Sequence, residues 1–184
     1  MEQSLKQYVI RHGLIVGFVQ TILYYLIYFL DQASLVDWIV GMLFLLLIIA
    51  YPIVVSVRYR KANEGFLPFK DAFYMVFGIT FIRSLVVLAF TLLLFFVIDT
   101  ELGAHMKEMV LQKTSAMMEK FNTPQEARED ALRKIQEEDQ FGLNKQLISM
   151  VWTTIMSVVF ALLVALTIRK DKPIFDTIDE NQVK

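Results

Sequence analysis

Four apolar runs, at 12–30, 38–57, 72–98 and 146–168, constrain what this 184-residue chain can become. Each approaches or exceeds the roughly 18–20 residues that an α-helix needs to cross a hydrocarbon core. Backbone amides and carbonyls find no water at that depth, so each run must satisfy them internally. The expected fold class is all-α, an integral membrane four-helix bundle joined by polar links. Composition agrees, with 56% of residues hydrophobic and 20% charged, where a soluble domain carries about a quarter charged. The first run is too long for a signal-peptide core and has no small-residue cleavage site before Asp31, so it reads as a retained span.

The links are a short acidic one (31–37), a basic one (58–70), a long polar one (99–145) and a tail from Arg169. Lys and Arg flanking the spans set orientation. Lys6, Arg11, Arg58, Arg60, Lys61, Lys70, Arg169, Lys170, Lys172 and Lys184 all fall on one side, while the first link has none. The third link has seven, but it is long and carries ten acidic residues. Both termini are therefore expected in the cytoplasm, with Tyr28 and Trp38 anchoring the opposite interface. The third run is longer than a bilayer needs. Phe66, Phe69 and Phe73 beside Lys70 predict that its first turns lie in the interface.

The third link carries its own pattern. Leu102, Met106, Met109, Val110, Lys113, Met117 and Phe121 recur at helical steps, placing one mainly apolar stripe on a helix. Thr123-Pro124-Gln125-Glu126 then predicts a second start, with Thr123 as cap, Pro124 at the first helical position and Glu126 completing a capping box. Ala127, Ala131, Leu132 and Ile135 extend it toward Gln140. The segment 100–141 is expected to be an extramembrane helical hairpin between spans three and four, and 171–184 a flexible tail.

Arg83 is the residue most in need of an explanation. A cation in mid-span costs about 2.5–3.5 kcal/mol on insertion scales, and none of the other long apolar runs holds an Asp or Glu to pair with it. Counted from the cytoplasmic boundary, Gln20, Tyr24 and Ser157 fall near the same depth, as does the Ile48 carbonyl that Pro52 deprives of its donor. Arg83 with Gln20, Tyr24 and Ser157 is thus the candidate intramembrane polar site. It reads either as a buried tether or as a site for an anion or a partner's carboxylate.

Small residues give a second signal. Ser149, Thr153, Ser157, Ala161 and Ala165 repeat every four residues, and Gly13 and Gly17 form a GxxxG. Such ridges let helix backbones approach closely where lipid supplies no hydrophobic drive. They predict contact between spans one and four, with a homodimer or a membrane-protein partner as the other use of the ladder.

Metal and catalytic readings find little support. His12 and His105 are far apart, no zincin or nucleophile-elbow pattern occurs, and the absence of cysteine removes thiol chemistry. Met106, Met109, Met117 and Met118 are better read as adaptable packing than as a soft-metal site. With Val110 and Phe121, the first three make a candidate partner face. A net charge of −1 gives no field for nucleic acid. No cofactor is expected, and the expected partners are the lipid bilayer and another membrane protein or a second copy.

Three further stretches carry a resemblance. They are Gly65-Phe66-Leu67-Pro68-Phe69-Lys70-Asp71-Ala72-Phe73 before the third span, Phe96-Val97-Ile98-Asp99-Thr100-Glu101 after it, and the pair Arg169-Lys170 closing the fourth. In these, and in the order of its parts, the chain resembles a family of bacterial inner-membrane proteins designated domain of unknown function 4199. Thr100 stands where that family often has proline. The resemblance implies four spans and a bacterial inner-membrane location, and it supplies no activity or catalytic residue; with both termini inside, the 99–145 link of a two-membrane bacterium is expected to be periplasmic. The leading expectation is a non-enzymatic interaction or scaffold subunit that presents the hairpin to an envelope complex. The alternative is a small transport or channel-like module with an anion-attracting Arg83.

Overall fold

The computed structural model describes residues 4–171. Six α-helices follow in order: α1 (Leu5–Leu30), α2 (Trp38–Ala62), α3 (Phe69–Leu93), α4 (Leu102–Lys120), α5 (Gln125–Glu137) and α6 (Leu143–Ile168). A 3₁₀ turn, Gln32–Val36, joins α1 to α2, and α3 continues through a π-helical turn, Leu94–Ile98. The fold is all-α among the described residues. Four helices, counting α3 with its π turn as one, are long and apolar enough to cross a membrane, and the chain is a multi-pass membrane protein. Except for Asp171, the tail expected from 171 onward lies outside the described residues.

The helices overrun the apolar windows that announced them. α1 begins at Leu5, where Ser4 Oγ accepts from the Gln7 amide at 3.4 Å, and α2 runs through Arg58, Arg60 and Lys61. Hydropathy marks only the apolar part of a helix, whereas the i to i−4 ladder propagates into polar flanks as long as it stays hydrogen bonded.

α3 is the central helix, packing against α1, α6 and α2. Its buried residues, Ala72, Met75, Val76, Ile79, Thr80, Arg83 and Ser84, recur at three- and four-residue steps as one broad stripe. α1 runs parallel to it. A Cβ added to Gly13 would stand 2.7 Å from Ile82 Cβ, one on Gly17 would stand 2.8 Å from Val86 Cβ, and Val9 fills the notch at Gly78. On α6, Ser157, Ala161 and Ala165 are buried, Thr153 is half-buried and Ser149 is exposed. The expected contact between spans one and four is therefore corrected. α3 lies between them, the glycines of α1 receive its branched side chains, and α6 lays its small ridge against the same helix.

Both ends are stitched. At one end, Glu64 (φ 54°) and Gly65 (φ 83°) turn the chain so that Leu67 and Lys170 exchange backbone hydrogen bonds of 2.8 and 2.9 Å. Arg60 Nη1 donates to the Ile168 carbonyl at 2.7 Å, closing the end of α6, and Leu67 is fully buried beneath this junction. At the other end, the Tyr28 hydroxyl donates to Asp99 Oδ2 at 2.9 Å, tying α1 to the close of α3. Tyr25 donates at 2.8 Å to the Phe90 carbonyl, beside the π turn in which Leu94 shares the Phe90 and Thr91 carbonyls.

α4 and α5 fold back on one another, with Arg128 donating to Ser115 Oγ at 2.9 Å and Lys107 donating to the Gln136 carbonyl. The expected start of α5 shifts by one residue. Pro124 is the N-cap, and Thr123 supplies no side-chain cap bond. The Thr123 amide is instead spent on closing α4, donating to the Met118 carbonyl at 2.9 Å once Asn122 has taken φ 50°. This is the left-handed closure that helix C-termini favour.

Candidate functional site

Arg83 is 5% exposed, and its Nη1 donates to Gln20 Oε1 at 2.5 Å. This is the one member of the expected shell that reaches it. Ser157 Oγ donates instead to its own helix, to the Thr153 carbonyl at 2.7 Å, which is how a hydroxyl without a water partner satisfies itself in a span. Tyr24, one turn beyond Gln20, sets its ring at a tilt beside Phe44 of α2 and makes no hydrogen bond with Arg83. Nor does Arg83 bond the Ile48 carbonyl. Equal depth placed these groups in one layer, but direction around each helix decides contact.

The guanidinium is left with one unbonded edge. Nε is buried without a partner, and Nη2 makes no hydrogen bond among the described residues. Arg83 also lines a cleft of about 140 Å³ between α3 and α6. Ser84, Val87, Leu88 and Thr91 of α3 form one wall, and Gln146, Ser149, Met150 and Thr153 of α6 form the other. Because α6 runs antiparallel to α3, this cleft extends from Arg83 toward the end where α3 finishes and α6 begins. Thr91 is eight residues beyond Arg83, roughly 12 Å along the helix.

Gln146, Thr91 and Ser84 were not part of the sequence reading, and Ser149 and Thr153 entered it only as packing residues. A signal was present. Arg83, Ser84 and Thr91 share one face of span three, and Gln146, Ser149 and Thr153 share one face of span four. Two polar stripes of this kind can meet only if the spans are neighbours, which sequence did not decide.

The candidate partner face divides in two. Leu102 and Met106 are buried against Leu94 and Phe95, with Met109, Tyr24, Tyr28 and Phe141 packed around them, so Met106 is not offered to a partner. Val110 is half-buried, while Met117 and Phe121 are 55% and 74% exposed. These two border a groove with Val36 and Trp38, itself 76% exposed. Lys113 clips α4 above this groove, donating at 2.6 Å to both the Asp37 carboxylate and the Ala33 carbonyl.

His12 shares a 2.9 Å hydrogen bond between Nδ1 and the Tyr51 hydroxyl and packs beside Tyr8, so it joins α1 to α2. No group of three or more His, Asp or Glu that could hold a metal ion occurs among the described residues. On α3, Phe69, Phe73, Phe77 and Phe81 stack in a continuous column of four rings, of which only Phe69 and Phe73 stood out in the sequence.

No curated protein and no solved structure matches the chain. The model of a family described as "Protein of unknown function (DUF4199)" matches residues 11–170, nearly the whole of the architecture above. The Leu67–Lys170 junction and the Asp99 contact with Tyr28 give structural work to the stretches that suggested the likeness. The chain belongs to the DUF4199 family.

Proposed function

We propose that this protein is a non-enzymatic interaction subunit of a bacterial inner membrane, a four-helix bundle with both termini cytoplasmic. In this reading α4 and α5 form a hairpin on the periplasmic side, available to another envelope protein. The observation that carries it is the Lys113 clip. Its bonds to Asp37 and the Ala33 carbonyl fix α4 across the α1–α2 link while Met117, Phe121 and Trp38 stay exposed. Large apolar side chains gathered at one place at the end of a span mark a contact surface, and methionine lets such a surface adapt to its partner.

A photoreactive residue at Phe121, installed in the full-length protein in its native membrane, tests this. Crosslinking to one discrete protein, abolished by Met117→Asp, supports the reading. Crosslinking to lipid alone makes the groove a membrane-surface contact and removes the partner role.

The second reading is a small transport or channel-like module. The Arg83 cleft supports it, because the guanidinium lies at the inner end of a polar-lined path that opens between α3 and α6. Anion flux into vesicles containing the purified protein, compared with the Arg83→Gln variant, separates it from the first.

A further inference from the structure

We propose that the unbonded edge of Arg83 is a binding site for a phosphate oxyanion, admitted between α3 and α6 from the end where α3 finishes. This names the anion for the transport reading but does not depend on transport, since a site can bind without moving its ligand. It is also independent of the partner role of α4.

Three observations converge on it. First, the charge is uncancelled. Gln20 is a neutral amide, and the other polar groups of the cleft, on Ser84, Thr91, Gln146, Ser149 and Thr153, are neutral as well. A buried guanidinium without a counter-ion attracts a monoanion into the space beside it.

Second, the geometry that remains is the one that recognises oxyanions. Nη1 is taken by Gln20, which leaves Nε and Nη2, the side-on pair of the guanidinium fork. Two parallel N–H donors on one edge match two oxygens of a phosphate.

Third, the cleft supplies donors that have nothing else to do, three of them on the α6 wall opposite Arg83. Ser84, Ser157 and Thr154 spend their hydroxyls on carbonyls of their own helices. Thr91, Ser149, Thr153 and Gln146 make no side-chain hydrogen bond among the described residues, and all four line the cleft. A planar carboxylate bound side-on keeps only its two remaining lone pairs, in the plane of the guanidinium, for these donors. A tetrahedral phosphate directs further oxygens at the α6 wall. The space of about 140 Å³ is close to that of a cavity known to hold one small ring molecule, so it takes a single phosphate group and little more. That group can come from a phospholipid headgroup drawn down the cleft or from free phosphate.

Two binding experiments on the detergent-solubilised full-length protein separate these sources. Native mass spectrometry reads retention of added phosphatidylglycerol, and equilibrium dialysis reads ³²P-labelled orthophosphate on delipidated protein. At least one probe binds wild type and is displaced by an excess of the unlabelled probe. Arg83→Gln weakens it about tenfold or more, the loss expected for charge-assisted hydrogen bonds. Ser149→Ala/Thr153→Val keeps the arginine and weakens it by about threefold to tenfold. Lipid binding alone assigns the site to a headgroup, and orthophosphate binding alone assigns it to a soluble ion. The double variant carries the test if Arg83→Gln does not fold, as judged by elution volume and helicity. The proposal is overturned if neither probe binds wild type, or if binding is unchanged in the Ser149/Thr153 variant. It is equally overturned if a copurifying protein occupies the cleft and excludes both probes. Binding without flux keeps the site and removes the transport reading alone.

Discussion

Nη1 of Arg83 meets Oε1 of Gln20 at 2.5 Å, so a buried cation of α3 is held by a neutral amide of α1 rather than by a carboxylate. An amide oxygen solvates part of a guanidinium without cancelling its charge. Removing that oxygen leaves the charge buried with no acceptor, which costs more than the bond itself contributes. Gln20→Leu should therefore destabilise the protein by about 2–3 kcal/mol. Arg83→Leu in the same background should recover most of that loss, because the stranded charge is then gone. Reversible unfolding in mixed micelles compares both variants with wild type. A Gln20→Leu protein as stable as wild type would falsify the tether.

The glycines of α1 make a second prediction. Gly13 and Gly17 sit where an added Cβ would press to 2.7 Å on Ile82 and 2.8 Å on Val86, both at branched atoms close to the α3 backbone. Gly17→Leu must push the helices apart, and overpacking of this kind costs about 1–3 kcal/mol. Gly41 of α2 meets nothing within 4 Å, so Gly41→Ala only improves helix propensity, by up to about 1 kcal/mol. Thermal aggregation of the two variants in detergent should move in opposite directions. Equal shifts would show that α1 and α3 are not closely packed.

Span number and the helicity of the 99–145 link were legible because both depend on local pattern alone. Hydropathy over twenty residues and the Met106-to-Phe121 stripe need no knowledge of neighbours. The Arg83 site was legible only in part. Depth along each helix put Gln20, Tyr24 and Ser157 together, but azimuth around the helix is set by which spans adjoin. Sequence left that open, and α3 took the centre that had been given to a contact between α1 and α6. Ser157 shows the same limit. Its hydroxyl had a nearer acceptor on its own helix than any cation across the bundle.

Asp31 provides a pH prediction at the α1–α2 link. Its carboxylate accepts from Ser34 Oγ at 2.6 Å and from the Ala33 amide at 3.1 Å. The Ser34 bond, chiefly, holds its pKa below the ordinary aspartate value. A group whose folded pKa is depressed stabilises the fold above its unfolded pKa and loses that contribution as pH falls through the folded one. The order of the 3₁₀ turn should thus persist at neutral pH and weaken only in acid, below the usual aspartate range. Protection factors of the Ala33 and Ser34 amides, followed from pH 7 downward, measure this. Asp31→Asn should lower them already at neutral pH and flatten their pH dependence. Unchanged protection in that variant would contradict the role given to Asp31.

Lys113 and Lys61 test the arrangement across the membrane. Lys61 lies in the last turn of α2 near the Arg60–Ile168 contact, whereas Lys113 lies on α4 against Asp37, just before α2 begins. α2 separates these positions along its whole length. If α2 spans the bilayer, they must face different compartments. The chain contains no cysteine, so single Lys61→Cys and Lys113→Cys variants carry one thiol each and need no background substitutions. The Lys113–Asp37 pair is partly exposed, with side chains 40% and 45% accessible, so its loss should cost no more than about 1 kcal/mol and leave the fold intact. An impermeant maleimide added to spheroplasts should then label position 113 and spare position 61 until the membrane is permeabilised. The reverse pattern inverts the orientation read from the Lys and Arg flanks while keeping the spans. Labelling of both from one side removes α2 as a span.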